Sequence, residues 1–321
     1  MLQVGYLGVH FFFAISGFLI TTLLLREKER YGQISLKNFY IRRSLRIFPL
    51  YYTVILLYVL VVQIVESQSI YGIAYMNNLK YFLTYTSNWF IDYNSHDRII
   101  FYFAWSLATE EQFYLVWSSV EYFLKKHWPV AVALLMIGFQ QAAQYDLFSA
   151  FLPLDSLPVR IAASISVAIC MGVMLAHLLH DERGYRFLRL FVGHRWSSPI
   201  AFGLLIYAIV LPAKLTVFSF TVIYFCMTIV VASCVIREDH ILARIFSWGP
   251  LRLIGVISYG MYLLHMLTFN AVKRVLNIAS LDHPVVFFAV TLLAATLVSW
   301  LSFKYYESFF LRMKSRFSRS A

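Results

Sequence analysis

The sequence predicts an all-α fold, a polytopic transmembrane helical bundle with about nine spans and one short interfacial or partly inserted helix. Of its 321 residues, 60% are hydrophobic and only 13% are charged. A soluble domain carries roughly 25% charged residues, and the deficit here extends over the whole chain. Apolar runs of about 17–25 residues recur from end to end, and each can cross a hydrocarbon layer of ~30 Å. We therefore expect a single membrane domain over residues 1–321, with a basic tail at 313–321.

The predicted spans follow the apolar runs in order. They lie near residues 5–25, 47–65, 101–124, 129–145, 158–180, 196–212, 215–236, 252–275 and 285–309. A shorter segment, 75–90, carries Asn77, Asn78, Lys80 and Asn88, which favours an interfacial helix over a full crossing. Gly8 and Gly17 in the first span suggest close helix packing.

Lysine and arginine are distributed unevenly between the predicted loops. Nine crossings place the basic loop 26–46, Lys125 and Lys126, the arginines of 183–195 and 237–244, and the tail on one side. The positive-inside rule makes that side cytoplasmic, so residue 1 is expected outside and the C-terminus in the cytoplasm, in an inner (plasma) membrane. This topology explains the net charge of +11 without a nucleic-acid partner.

The three cysteines, Cys170, Cys226 and Cys234, lie inside apolar runs and lack metal-ligand spacing. We interpret them as buried thiols and expect no metal site. His177 and His180 have the spacing of a ligand pair without an evident third ligand, so we interpret them as a topological feature.

Three arginines lie where the second span begins. Arg42 and Arg46 are four residues apart and Arg43 and Arg46 three apart, so one helix end can present several guanidinium groups. They either mark the cytoplasmic end of the helix or bind an anion, because a guanidinium fork suits phosphate better than an ammonium does.

The segment 103–123 places Glu110, Glu111 and Glu121 in an apolar run flanked by Trp105 and Trp117. Ionisable residues inside a span usually face a bundle interior or a wet cavity. Adjacent helical residues point about 100° apart, so we expect one of Glu110 and Glu111 to support the scaffold and the other to face the cavity. An interhelical structural pair is the alternative for each.

Two later segments also carry polar candidates. Ser258, Tyr262, His265 and Phe269 share one helix face, beside Tyr259, and this pattern is compatible either with a core histidine or with a functional cavity. Glu307 lies three residues after Lys304, and spacing alone favours an interface residue paired with that lysine.

Taken together, these segments resemble acyltransferase family 3, the integral membrane O-acyltransferases. The resemblance is carried, in order, by GVHFFFAISGFLI (8–20), FYIRRSLRIFPLYY (39–52), WSLATEEQFYLVW (105–117), ISYGMYLLH (257–265) and the pair Tyr306–Glu307. The motifs extend over essentially the whole chain. The family normally opens with a further helix bearing a catalytic histidine. On this resemblance we expect that helix to be missing ahead of residue 1, and His10 to occupy a variant position of the next motif.

The resemblance implies transfer of an acyl group, commonly acetyl, from acyl-CoA to a hydroxyl of an exported carbohydrate or lipid-linked glycan. Arg43 and Arg46, with Arg42 beside them, would bind the acyl-CoA phosphates as donor-binding residues. The site residues implied by the resemblance are the catalytic candidates Glu111, His265 and Glu307 and the substrate-binding candidates Trp105, Tyr259 and Tyr262. A transporter or flippase-like protein, and a non-catalytic remnant, are the alternatives.

Overall fold

The computed structural model describes residues 5–93, 99–210, 216–278 and 283–317, which form helices and turns without a strand. In chain order the α-helices are α1 Gly5–Tyr31, α2 Leu36–Val65, α3 Ile70–Leu83, α4 Ser87–Phe90, α5 Ala104–Phe123, α6 Trp128–Gln144, α7 Leu157–Ser164, α8 Val167–His180, α9 Glu182–Val192, α10 Ser197–Val210, α11 Val217–Ile236, α12 Ala243–Phe246, α13 Gly249–Ile278, α14 Pro284–Leu301 and α15 Ser308–Lys314. A π-helical turn, Ser302–Glu307, joins α14 to α15, and 3₁₀ turns lie at Leu147–Ala150 and Ser315–Phe317. The predicted all-α membrane bundle is confirmed.

The chain divides into two compact units, each assembled from separated stretches. Unit one comprises Met1–Ile34, Thr84–Tyr93 and Phe103–Arg244, and unit two comprises Ser35–Leu83, Asn94–Tyr102 and Ile245–Ala321. In unit one, α1, α6 and α11 pack against α8, and α5 packs against α1. In unit two, α13 packs against α14, and α2 contacts α3, α13 and α15. The single domain expected over 1–321 stays a prediction.

Most of the predicted spans correspond to helices that could cross a membrane. Within the part of the chain that the structure describes, five segments are long and apolar enough: Gly5–Tyr31, Leu36–Val65, Val217–Ile236, Gly249–Asn277 and Pro284–Lys314. The protein is therefore a multi-pass membrane protein. The predicted spans 101–124 and 129–145 form α5 and α6, of 20 and 17 residues, and 196–212 forms the shorter α10. Residues 211, 212 and 215 of two predicted spans, and 318–321 of the predicted tail, lie outside the described residues.

Two predicted segments are broken in the structure. The single span expected at 158–180 consists of α7 and α8, which are bent by 50° relative to each other. Ser166 starts α8 by accepting a hydrogen bond from the amide of Ile169, and such N-caps begin a new helix even within an apolar run. The segment expected at 75–90 is divided between α3 and α4, and Tyr85 between them has a φ of 54°, a left-handed conformation that ends a helix.

Two glycines allow α1 and α8 to cross at backbone contact. A Cβ on Gly172 would lie 2.9 Å from the amide nitrogen of Phe18 and closer still to the carbonyl oxygen of Ala14. A Cβ on Gly17 would lie equally close to the backbone of Ile169. Small residues permit such approaches between membrane helices, so the packing role predicted for Gly17 is confirmed. The same prediction is wrong for Gly8, which is exposed and has open space around it.

Candidate active site

Four cationic side chains lie together at the N-terminal part of α2 in unit two. Lys314, at the end of α15, interacts electrostatically with Arg42, Arg43 and Arg46. Arg42 Nη1 also donates to the carbonyl oxygen of Phe317 at 2.9 Å. Arg42 and Arg43 are half-buried, whereas Arg46 is exposed. We refer to these four residues as the basic cluster; its concentration of positive charge suits a polyanionic group such as a chain of phosphates.

Glu307 is buried beside this cluster, with a relative exposure of 8%. Ser302 Oγ donates to Glu307 Oε1 at 3.0 Å, and Arg46 interacts electrostatically with the carboxylate. A Cβ on Gly260 would lie 2.9 Å from the same oxygen, so the absence of a side chain on α13 makes room for the carboxylate. A buried carboxylate requires such partners because its desolvation is costly.

The predicted pairing of Glu307 with Lys304 is wrong. Lys304 Nζ lies over the rings of Trp300 and Tyr305, at 4.8 and 5.2 Å from their centroids. The reason is the π-helical turn over Ser302–Glu307, because i,i+3 neighbours share a face in an α-helix but point apart in the wider turn of a π-helix. The turn directs Glu307 into unit two and leaves Lys304 exposed.

Hydrogen bonds to the backbone of α2 fix the neighbouring helices next to the basic cluster. Tyr259 OH on α13 donates to the carbonyl oxygen of Ile47 at 2.7 Å. Tyr306 OH donates to the carbonyl oxygen of Pro49 at 3.3 Å and lies 2.8 Å from Thr53 Oγ1, which donates to the same carbonyl at 2.8 Å. Tyr259, a substrate-binding candidate, therefore also links α13 to α2 one residue after Arg46.

Replacement of Tyr259 by phenylalanine should lower the free energy of unfolding by about 1 kcal/mol, because it removes one hydrogen bond to a buried carbonyl. Thermal unfolding of the detergent-solubilised protein measures the change. Tyr305→Phe is the matched control, since Tyr305 is 69% exposed. An unchanged melting temperature for Tyr259→Phe would show that the link to Ile47 contributes no stability.

His265, another catalytic candidate, has a defined tautomer. Its Nδ1 lies 2.6 Å from the carbonyl oxygen of Tyr262, and a carbonyl can only accept, so Nδ1 carries the proton. Nε2 of the neutral ring then carries the lone pair and can take a proton. The Tyr262 and His265 rings are 5.8 Å apart, so these two candidates adjoin on one face of α13, as predicted.

Unit one holds the remaining candidates, Glu111 and Trp105. Glu110 is buried, and its carboxylate accepts hydrogen bonds from Ser16 on α1 and from Tyr114, which makes it the scaffold member of the adjacent pair. Glu111 is half-buried. Trp105 lies 6.2 Å from the ring of His10, which is also surrounded by Tyr6, Phe13 and Tyr224. The proposed site roles of Glu111 and Trp105 stay predictions.

A further polar pair in unit one was not expected from the sequence. Glu121, with an exposed fraction of 1%, lies with Oε1 2.7 Å from His177 Nε2 on α8. Lys28 Nζ donates to the carbonyl oxygens of Glu121 and Leu124 and so caps the C-terminal end of α5. His177 therefore belongs to an interhelical pair, which the His177–His180 spacing could not indicate. Lys314 and Gly260 of unit two were also not recognised from the sequence.

The known proteins that are similar in sequence to this chain include O-acetyltransferases and candidate O-acetyltransferases. The chain is 27% identical to the peptidoglycan O-acetyltransferase OatA of Listeria monocytogenes over 334 residues, covering 95% of this chain and 51% of OatA. It is 26% identical to YrhL of Bacillus subtilis, a candidate peptidoglycan O-acetyltransferase, covering 81% of this chain and 44% of YrhL. A candidate O-acetyltransferase of Staphylococcus aureus (strain COL) is 37% identical over 122 residues, which are 36% of this chain and 20% of the relative.

The chain spans about half the length of the first two of these relatives. No solved structure is significantly similar to it. The model of the family described as "Acyltransferase domain", acyltransferase family 3, matches residues 1–304, which contain all of the candidate residues of both units except Lys314 and Glu307. With nearly the whole chain matched, the protein belongs to acyltransferase family 3.

Proposed function

We propose that this protein transfers an acyl group, acetyl in the first instance, from acyl-CoA to a hydroxyl of a cell-surface carbohydrate. The observation that carries the proposal is the basic cluster, which places four cations beside a buried carboxylate in a membrane protein of this family. Peptidoglycan is the acceptor named for OatA and YrhL, and we propose the same class here.

The basic cluster is proposed to bind the phosphates of the donor. Arg42, Arg43 and Arg46 lie at the end of the predicted cytoplasmic loop, and acyl-CoA is a cytoplasmic metabolite. Guanidinium forks bind phosphate oxygens bidentately, and Lys314 adds a point charge. The plasma-membrane location and the cytoplasmic C-terminus are parts of this proposal, since the donor must reach the cluster from that side.

The proposed reaction is an exchange of oxygen for sulfur at the acyl carbon. The acceptor hydroxyl oxygen bonds to the thioester carbonyl carbon, the carbon–sulfur bond breaks, and CoA leaves as the thiol once protonated. His265 Nε2 is proposed to take the hydroxyl proton and pass it to the departing sulfur, because its lone pair is available while Nδ1 donates to Tyr262. Tyr262, whose ring adjoins that of His265 in unit two, is proposed to orient the acceptor.

Arg43→Lys and Arg46→Lys should each reduce acyl transfer by about tenfold or more, because an ammonium cannot replace a bidentate fork. Detergent-solubilised protein is incubated with radiolabelled acetyl-CoA and peptidoglycan fragments, and labelled product is counted.

Arg252→Lys is the matched control: Arg252 is an exposed arginine on α13 outside the basic cluster. Wild-type transfer by folded Arg43→Lys and Arg46→Lys proteins would remove the donor-binding role. A parent protein that neither binds nor transfers label from acetyl-CoA would favour the transporter or the non-catalytic alternative.

A further inference from the structure

A large cleft opens in unit one, away from every residue assigned a role above except the Glu121–His177 pair and Lys28. Its volume is about 1210 Å³, and it is formed by the C-terminal parts of α1 and α5, the α5–α6 turn, α6, α8, α9 and α11. One end is basic, with Lys28, Lys126, His127, His180 and Arg183 among its lining residues. The rest of the wall is apolar and includes Leu134, Ile137, Met171, Met174 and Phe225. The cleft is therefore amphipathic along its length.

The two carboxylates that line the cleft are already engaged. Glu121 lies 2.7 Å from His177 Nε2, and Asp181 Oδ2 accepts from the amide of Gly184 at 3.0 Å as the N-cap of α9. Lys28 Nζ donates to the backbone carbonyl oxygens of Glu121 and Leu124, and these neutral groups do not cancel its positive charge. The basic end therefore favours an anion.

Helix α9 indicates the depth of the basic end in the bilayer. Gly184, Leu188 and Val192 pack into unit one, whereas Phe187, Leu190 and Phe191 are 57%, 82% and 68% exposed on another face. Arg186 and Arg189 occupy a third face and are exposed. A helix with an uncovered aromatic face and an arginine-rich face lies in the plane of the membrane interface. Arg183, on the same helix, is thereby placed at the level of the lipid headgroups.

We propose that this cleft is a binding site for an anionic phospholipid of the surrounding bilayer. The lipid phosphate lies between Lys126 and Arg183, and an acyl chain extends along Leu134, Ile137 and the methionines of α8. The volume exceeds the ~300–1,000 Å³ of common small-molecule pockets, as a ligand with a long chain requires. A bilayer lipid, rather than a soluble amphiphile, fits the exposed apolar face of α9, which borders the hydrocarbon at the mouth. The proposal is independent of the acyl-transfer reaction.

The test is the thermal stability of the full chain in a nonionic detergent, titrated with phosphatidylglycerol or with phosphatidylcholine. A ligand that binds only the folded state raises the melting temperature, so phosphatidylglycerol should raise it and phosphatidylcholine should not. In Lys126→Gln/Arg183→Gln, the phosphatidylglycerol concentration at half effect should rise by about thirtyfold, the loss expected for two basic contacts. Lys125→Gln/Arg186→Gln is the matched control, since it removes the same charge from neighbouring exposed residues that do not line the cleft.

A second variant pair examines the apolar wall. Leu134→Trp should weaken the response to phosphatidylglycerol by filling the cleft, whereas Leu135→Trp, on an adjacent exposed residue outside it, should not. Equal responses of the parent protein to the two lipids overturn the proposal. It is also overturned if Lys126→Gln/Arg183→Gln responds to phosphatidylglycerol as its control Lys125→Gln/Arg186→Gln does. Stabilisation by palmitoyl-CoA without stabilisation by phosphatidylglycerol also overturns it, because the cleft then serves another ligand. If a variant does not fold, native mass spectrometry of the parent protein decides by comparing retention of the two lipids.

Discussion

Replacing Gly172 by leucine is expected to lower the free energy of unfolding by at least ~3 kcal/mol and to abolish recovery of folded protein at growth temperature. The new side chain would meet the backbone of Ala14 and Phe18, which cannot move aside as a flexible side chain could. Helix α1 would have to separate from α8, the helix around which unit one is packed. Size-exclusion chromatography of a fluorescent fusion, followed by thermal unfolding, measures the effect.

Gly138→Leu is the matched control for this prediction. Gly138 also lies within an apolar helix, α6, but no neighbouring atom lies within 4 Å of the position that a Cβ would take there. Both changes add the same side chain and remove the same backbone freedom. The difference in stability between the two variants therefore measures the effect of the close contact between α1 and α8. Equal elution profiles and melting temperatures for the two variants would contradict backbone contact between α1 and α8.

Glu307→Gln is expected to reduce acyl transfer by about a hundredfold while the protein still folds. The amide oxygen of glutamine can accept from Ser302 as the carboxylate does, but the negative charge beside Arg46 is lost. Removal of one preorganised polar group from a catalytic site typically costs about 10²–10³ in rate, or roughly 3–4 kcal/mol. The measurement is the initial rate of label transfer from acetyl-CoA at equal amounts of folded protein.

Lys304→Gln controls for a change of charge near the same turn. Lys304 is exposed and lies over aromatic rings instead of meeting Glu307, so its replacement should leave the rate within about twofold. A folded Glu307→Gln protein with the parental rate would refute a role for the carboxylate in catalysis. A Glu307→Gln protein that does not fold would instead assign Glu307 to structure.

The helical architecture could be predicted because a hydrocarbon layer demands apolar runs of a fixed minimum length. That rule cannot locate the bend between α7 and α8, since the run from 158 to 180 is predominantly apolar on both sides of the bend and one serine cap, Ser166, decides where α8 starts. It also cannot distinguish Gly17 from Gly8. Both stand in the same motif, and only the position of α8 shows that the first is at a crossing and the second faces open space.

The arginine part of the basic cluster could be predicted because all three residues lie on adjacent turns of one helix. Lys314 could not be added to it, because it lies far along the chain and reaches the cluster only through packing of α15 on α2. The partner of Glu307 was predicted wrongly because spacing arguments assume an α-helix, and no residue type in SFKYYE indicates a π-helical turn. The Glu121–His177 pair depends on contact between two helices, which periodicity within each of them does not determine.

The π-helical turn at Ser302–Glu307 has a consequence for insertions and deletions. A π-helical turn holds one residue more than the α-helical turn it replaces, and that residue rotates everything after it by about 100° around the helix axis. Loss of a single residue, even the exposed Tyr305, would restore a regular helix and turn Glu307 away from Ser302 and Gly260. We therefore expect natural variation here to take the form of substitutions at constant length. A sequence alignment that opens a one-residue gap in this segment would place the wrong carboxylate, or none, opposite Arg46.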